Sequence, residues 1–131
     1  MASRPNIRQY PVIVNQSMAS NITSAVTIIT NLTMASYTFS WVGTTPVGAV
    51  SIQASNDYTL GPDGVTVINA GTWNTLPLAI SGSLVSSAPV SGNTGNGEID
   101  MCDLAAYAIR AVYTPTSGTG TLNATINCKV A

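Results

Sequence analysis

The chain has 131 residues, of which 45% are apolar and only 7% are charged, and its formal net charge is −1. This length fits one domain that can bury a core without disulfides or metal ions. A charge so close to zero provides no basic field to hold nucleic acid, and no apolar run is long enough to cross a bilayer. Proteins near neutrality tend to associate, so the expected partners are protein subunits rather than nucleic acid or a membrane.

The start of the chain bears on its compartment. MASRPNIRQYPVIV contains Arg4 and Arg8 but lacks the apolar stretch that follows the basic region of a signal peptide. The only cysteines are Cys102 and Cys128, and without a secretion signal we expect both to be free thiols. Export by the usual route is therefore not expected.

Alternation of apolar and polar residues predicts short strands along most of the chain. Residues 1–9 are predicted to form an N-terminal arm, and residues 10–131 a single β domain. Breaks are predicted at VGTTPVG, NDYTLGPDG and VSGNTGNG, and Pro77 marks an edge or a bulge. In chain order, strands are predicted in QYPVIV, SAVTIIT, YTFSWV, AVSIQAS, TVINAG, TLPLAI and GEIDMCD.

The clearest alternation lies near the end of the chain. In TLNATINCKV, Leu122, Ala124 and Ile126 fall on one side and the intervening Thr and Asn residues on the other. YAIRAVY alternates in the same way, and TPTSGTG between the two segments is rich in turn-forming residues, which predicts a hairpin. About eight strands result, so we predict an all-β chain forming a single antiparallel β-sandwich with jelly-roll-like order.

Few residues can support catalysis or bind a metal. The chain has no histidine, which excludes Ser–His and Cys–His nucleophile pairs, and two cysteines cannot close a structural zinc site. Glu98 and Asp100 share one side of a predicted strand at a spacing compatible with a glycosidase pair, but a solvated strand end is the favoured interpretation. SNDYTLGPDG and SGNTGNGEID offer oxygen ligands without the EF-hand spacing. No catalytic, cofactor-binding or metal-ligating residue is therefore predicted.

Two aromatic residues and one arginine occupy positions that the alternation of the strands does not explain. Trp73 is out of phase with Leu76 and Leu78, so it either faces outward as a sugar platform or interface anchor or folds over the sheet edge. Tyr58 is a second candidate platform. Arg110, a lone charge within a strand, is predicted to reach solvent or to pair with a carboxylate in a structural role.

Three stretches resemble the pattern of small phage-encoded, virion-associated β-sandwich proteins: VSIQASNDY, NAGTWNTLPL and YAIRAVYTPTSGTGTLNATINCK. In that family S-I/V-Q-x-S precedes G-T-W-x-x-L, and the chain closes with I-R-x-V-Y-T-x-T-S-G-T-G-T-L-N-A. The resemblance covers residues 50–129, and the last motif is the most specific. This chain departs from the pattern in the Ala-Ala-Tyr before Ile109 and in Pro115, and its first third shows no match. The resemblance implies a place in a virus particle.

We therefore expect a non-enzymatic structural virion protein, either a capsid decoration, cement or spike protein or a tail component, made in the host cytoplasm. Its expected partners are the major capsid or tail protein and further copies of itself, with a trimer suited to threefold sites on an icosahedral shell. Arg4, Arg8, Trp73 and Tyr58 are the predicted partner contacts, and no cofactor is expected. The alternative is a carbohydrate-binding or host-adhesion module that uses Trp73 and Tyr58 as platforms.

Overall fold

A computed structural model describes residues 7–29, 32–80, 82–102 and 106–130. Over these ranges the chain contains strands and connecting segments and no helix. The strands are β1 (Ile7–Ser17), β2 (Ile22–Thr23), β3 (Thr27–Ile28), β4 (Leu32–Ser55), β5 (Thr59–Leu60), β6 (Val67–Asn69), β7 (Asn74–Thr75), β8 (Leu78–Ile80), β9 (Ser83–Val85), β10 (Ala88–Val90), β11 (Thr94–Cys102) and β12 (Ala108–Val130). The predicted all-β class is confirmed.

Two long strands, β4 and β12, organise an eight-stranded antiparallel sheet. They pair along their whole length, from Leu32 opposite Val130 to Ser55 opposite Ala108. The other side of β12 pairs with β1, β2 and β3, and the other side of β4 pairs with β11, β10 and β7. The pairs β5–β6 and β8–β9 form two separate hairpins. The sandwich with jelly-roll-like order stays a prediction.

Both long strands change the face that they bury halfway along their length. On β4 the buried positions are odd-numbered up to Trp41 and even-numbered from Val50, and on β12 they change from odd to even between Tyr113 and Leu122. The register shifts between these points, where Gly118 has a φ of 80°. Bulges of this kind move the following side chains to the opposite face.

The bulges divide the sheet into two parts that share one core. We call residues 32–43 and 120–130, with β1 and β11, the first half-sheet, and residues 48–55 and 108–115, with β2, β3, β7 and β10, the second half-sheet. Apolar side chains from both parts belong to a single connected cluster. A straight 24-residue strand would extend roughly 80 Å, so this shared core requires the long strands to bend.

Two predicted interruptions are therefore wrong. TPTSGTG does not form a hairpin, and VGTTPVG does not end a strand, because both lie inside the continuous strands β12 and β4. Their glycines serve the bulge instead: a Cβ at Gly118 would overlap the carbonyl oxygen of Thr45 on the opposite strand. The turn-forming composition thus reflects positive φ and close backbone approach rather than chain reversal.

The ends of the first half-sheet contain part of the predicted arm and the two cysteines. Residues 7–9 of the predicted arm lie in β1, with Arg8 opposite Cys128, whereas Arg4 lies outside the described residues. Cys128 is buried and free, and burial raises the pKa of its thiol. The backbone of Cys102 lies on β11, which β4 separates from β12. The backbones of Cys102 and Cys128 are therefore two strand spacings apart, about 10 Å, which is too far for a disulfide.

Candidate functional site

The structure brings the predicted platform residues together on the second half-sheet. The ring centroids of Tyr58 and Trp73 are 5.8 Å apart at an interplanar angle of 58°. The guanidinium carbon of Arg110 lies 4.2 Å from the centroid of the Trp73 ring, a cation–π contact. The Arg110 Nε–H donates to Gln53 Oε1 at 2.8 Å, and burial lowers the pKa of the guanidinium. The partners of Arg110 are thus an amide and an indole, not a carboxylate, and the residue is half-buried, so of the two predicted alternatives the carboxylate pair is wrong.

The short strand β7 explains why Trp73 lies there. β7 pairs Asn74 and Thr75 with Ala54 and Gln53 of β4, which carries the preceding Trp73 onto the face that bears Gln53. The Trp73 Nε1–H donates to the carbonyl oxygen of Ala70 at 2.8 Å and fixes the ring. Trp73 is half-buried as a result.

The Asp57 carboxylate holds the chain segment that precedes Trp73 in place through hydrogen bonds. Asp57 Oδ1 accepts hydrogen bonds from the Thr72 N–H at 2.6 Å and the Ser55 hydroxyl at 2.7 Å. Its Oδ2 accepts one from the Thr72 hydroxyl at 3.0 Å. These bonds lower the pKa of Asp57, the Thr72 backbone bond most strongly. Gly71 has a φ of 83°, and a Cβ there would lie 2.7 Å from Ser55 Oγ. The segment is therefore a tightly built structural support.

A shallow pocket of about 530 Å³ adjoins this support. Its polar lining residues are Asn56, Asp57, Thr72 and Asn74, and the Trp73 ring does not line it. One face of that ring is covered by Arg110. A sugar platform needs one open aromatic face, so the Arg110 contact leaves the opposite face of Trp73 for a sugar. The Nε1 hydrogen bond to Ala70 holds the ring against its own chain segment, which favours the folded-over interpretation.

A larger groove runs beside β11 on the first half-sheet. It has a volume of about 720 Å³ and lies between β11 and the β8–β9 hairpin. Apolar side chains dominate its wall, and residues 96–101 of β11 form one side. We call it the β11 groove; its apolar lining includes Trp41, Leu78, Ile80, Leu84, Val90, Ile99 and Met101. The sequence did not indicate this groove, because it depends on how a separate hairpin lies against the sheet.

The acidic pair of the sequence lies on β11. Glu98 and Asp100 are exposed, whereas Ile99 and Met101 are buried, so the two carboxylates share the outer face as predicted. A hydrogen bond with Asp100 and the charge of that residue raise the pKa of Glu98. Among the residues that the structure describes, no group of three or more His, Cys, Asp or Glu side chains could hold a metal ion. The described part of the chain also contains no helix suited to spanning a membrane.

The β5–β6 hairpin exposes three aliphatic side chains that the sequence pattern did not single out. Val65 is 79%, Val67 47% and Ile68 66% exposed. Asp63 stabilises the turn, because it accepts hydrogen bonds from the Thr66 hydroxyl and from the Val65 and Thr66 N–H groups. These bonds lower the pKa of Asp63 to about 2, the Thr66 hydroxyl most strongly. Turn signals predicted the loop, but alternation could not show that neither face of the hairpin is covered.

Comparisons with known proteins found a similar fold but no similar sequence. No protein-family model matches the chain, and no curated protein is similar in sequence. Among solved structures, the crystal structure of SPBc2 prophage-derived protein YomS is similar, with a TM-score of 0.60 over 97% of this chain and 97% of that chain. The sequence identity is 11%, so the similarity shows a common fold.

Proposed function

We propose that this protein is a non-enzymatic structural component of a phage particle, on the head or the tail, that acts through contacts with other subunits. The observation that carries the proposal is the end-to-end similarity of fold to a prophage-derived protein, which covers 97% of both chains. The sequence motifs of residues 50–129 support the same origin independently, because they resemble virion-associated β-sandwich proteins.

The central part of the outer face of the first half-sheet, formed by residues 36–42 and 121–127, supports a role in subunit contacts. Hydroxyl and amide side chains predominate on the adjacent positions of β12 and β4, where Thr125 lies opposite Thr38 and Asn123 opposite Ser40. Burying this central part, unlike the neighbouring β11 with its exposed Glu98 and Asp100, requires no desolvation of charge, and salt has little to screen there. Many neutral copies can therefore pack closely.

The β5–β6 hairpin supplies an apolar contact point. Contiguous exposed aliphatic side chains on a soluble protein are typical of protein–protein contacts. Val65 and Ile68 lie on a hairpin whose turn is fixed by Asp63, so little conformational freedom is lost when a partner covers them. Arg8 is exposed on β1 and remains a proposed partner contact, as does Arg4.

Washed particles provide the test. We expect mass spectrometry of purified virions to detect the protein at a fixed ratio to the major capsid or tail protein, and its absence would overturn the proposal. The double variant Val65→Ser/Ile68→Ser should reduce incorporation by about tenfold or more while leaving the thermal midpoint nearly unchanged. Thr59→Ser on the same hairpin is the matched control and should be incorporated normally.

The pocket beside Trp73 keeps a glycan-binding module as the second candidate. Asn56, Asp57 and Asn74 could hydrogen-bond sugar hydroxyls from its wall. A glycan-array signal that Asn74→Ala removes without changing stability would favour this candidate. Loss of signal only in variants that also lose stability would show that the region acts through packing.

A further inference from the structure

We propose that β11 accepts an extended strand from another protein, with basic side chains alternating with apolar ones, and that this strand lies in the β11 groove. The inference goes beyond the proposed virion role because it names a site and the chemistry of its occupant. It can be tested on the purified protein, so its failure would leave the virion role untouched.

The hydrogen-bond register shows which backbone groups of β11 are free. β11 pairs with β4 without any register shift, and the Gly43 N–H donates to the Asn93 carbonyl oxygen at 2.7 Å just before the strand begins. In an antiparallel pair, opposite residues exchange hydrogen bonds at every second position. Gly95, Gly97, Ile99 and Met101 therefore bond to β4. Across the described residues, β11 pairs with no other strand.

The intervening residues direct their N–H and C=O groups away from β4. They are Asn96, Glu98 and Asp100, and all three line the β11 groove. An incoming strand paired with them would make hydrogen bonds at these positions. β11 contains no proline and no bulge, so nothing in its backbone blocks the addition.

The charges on β11 decide which strand fits. Residues directly opposite each other in a sheet carry their side chains on the same face. The incoming residues opposite Glu98 and Asp100 would therefore meet two adjacent carboxylates on the outer face, where Lys or Arg is favourable. Like charges directly opposite are destabilising, so pairing of β11 with β11 of a second copy is disfavoured.

The groove decides what lies between those basic residues. Positions opposite Gly97 and Ile99 would direct their side chains to the inner face, on which Ile99 and Met101 are buried. Leu78 and Val90 complete that wall. Apolar residues at these positions would gain contact area with the core, so the occupant alternates basic and apolar residues.

Fluorescence anisotropy with two labelled synthetic peptides tests the proposal. We expect a short peptide that alternates valine with arginine to bind, and one that alternates valine with glutamate not to bind. Asn96→Pro removes an outward N–H but no bond to β4, and edge positions tolerate proline, so it should weaken binding at least about tenfold. Asn96→Thr is the matched control and should bind as the native protein does.

A second variant keeps the test decisive if Asn96→Pro does not fold. Glu98→Gln/Asp100→Asn should weaken binding by about three- to tenfold and remove most of its salt dependence. The proposal is overturned if the glutamate peptide binds equally well, if Asn96→Pro folds and binds normally, or if neutralising the pair changes nothing. Concentration-dependent dimers that Asn96→Pro abolishes would identify a second copy as the occupant and overturn it as well.

Discussion

The two edges of the first half-sheet are built differently. β1 contains Pro11, two register shifts and Asn15 at a φ of 48°. β11 is regular over nine residues and contains none of these features. Proline and bulges are the usual devices by which proteins prevent unwanted strand pairing at an edge. The comparison shows that β1 is protected, whereas β11 is restricted only by two negative charges.

In our proposal, this difference explains why the partner strand binds at β11 and not at β1. A protected edge keeps neutral copies from joining into an unlimited sheet, which is a hazard for a chain with so few charges. An edge limited by charge alone still accepts a strand of the right sequence. The acidic pair then acts as a selector, and the apolar groove beside it increases the contact area.

Gly118→Ala is expected to have the largest effect, and it tests whether the bulges in β4 and β12 hold these two strands, and with them both edges of the sheet, together. In Gly118→Ala, a Cβ would overlap the backbone of Thr45, and the positive φ of 80° adds strain. We expect a loss of more than about 3 kcal/mol in the free energy of unfolding, measured by urea denaturation.

Gly64→Ala is the control for Gly118→Ala. Gly64 has a φ of 72°, but a Cβ at this position would meet no atom within 4 Å, so strain alone should cost about 1–2 kcal/mol. Equal losses in the two variants would show that the paired bulges do not hold the strands together.

The next effect concerns the edge of the second half-sheet, which β7 and Trp73 cover. Trp73→Ala removes the contacts with Arg110 and Tyr58 and the Nε1 hydrogen bond. We expect thermal denaturation to show a loss of about 2 kcal/mol. Trp73→Phe keeps a ring and should lose about half as much. If Trp73→Ala leaves the thermal stability unchanged, the platform interpretation of Trp73 is favoured instead.

Pro11→Thr is expected to have a smaller effect, because it removes one of the features that protect the β1 edge from pairing. The Met18 N–H donates to Gly120 O, so the even-numbered residues of β12 from 120 onward direct their backbone groups toward β1. Tyr10, opposite Ile126, is therefore hydrogen-bonded to β12, and the backbone nitrogen of the next residue, Pro11, points away from the sheet. Pro11→Thr restores an outward N–H, so aggregation followed by light scattering should be faster. Pro62→Thr, in an exposed turn, should aggregate at the native rate; if both behave alike, Pro11 does not protect the edge.

The smallest effect concerns the charges on β11. Because Asp100 raises the pKa of Glu98, protonation of Glu98 favours the folded state, and that contribution is lost as pH rises through the raised pKa. Glu98→Gln should therefore have a slightly higher thermal midpoint than the native protein at pH 7. The difference should disappear below about pH 4. A lower midpoint for Glu98→Gln at pH 7 would contradict the assigned repulsion.

The sequence predicted the strands well and their continuity poorly. Period-two alternation identified the buried residues of β12, because burial on one face leaves a direct trace in the pattern. Glycine and proline marked Gly118 and Pro46 as special positions, but composition alone cannot distinguish a turn from a bulge. Within SAVTIIT, the described residues 24–29 contain the two-residue strand β3, because consecutive apolar residues do not mark a single buried face.

The candidate sites, too, could be predicted from the sequence only in part. The aromatic pair Tyr58 and Trp73 could be named from residue type, but the covering of Trp73 by Arg110 joins positions far apart in sequence. The shared face of Glu98 and Asp100 followed from their spacing. The groove beside them did not, because its other wall is a hairpin that, among the described residues, pairs with no strand of the main sheet.

Amide-resolved hydrogen exchange of β11, with and without the alternating valine–arginine peptide, tests the central claim most directly. In the isolated protein we expect the amides of Asn96, Glu98 and Asp100 to exchange rapidly and those of Gly97 and Ile99 slowly. With the peptide, the first three should become protected while the amides of β1 keep their rates. Rapid exchange at all three positions in the presence of saturating peptide would contradict the account.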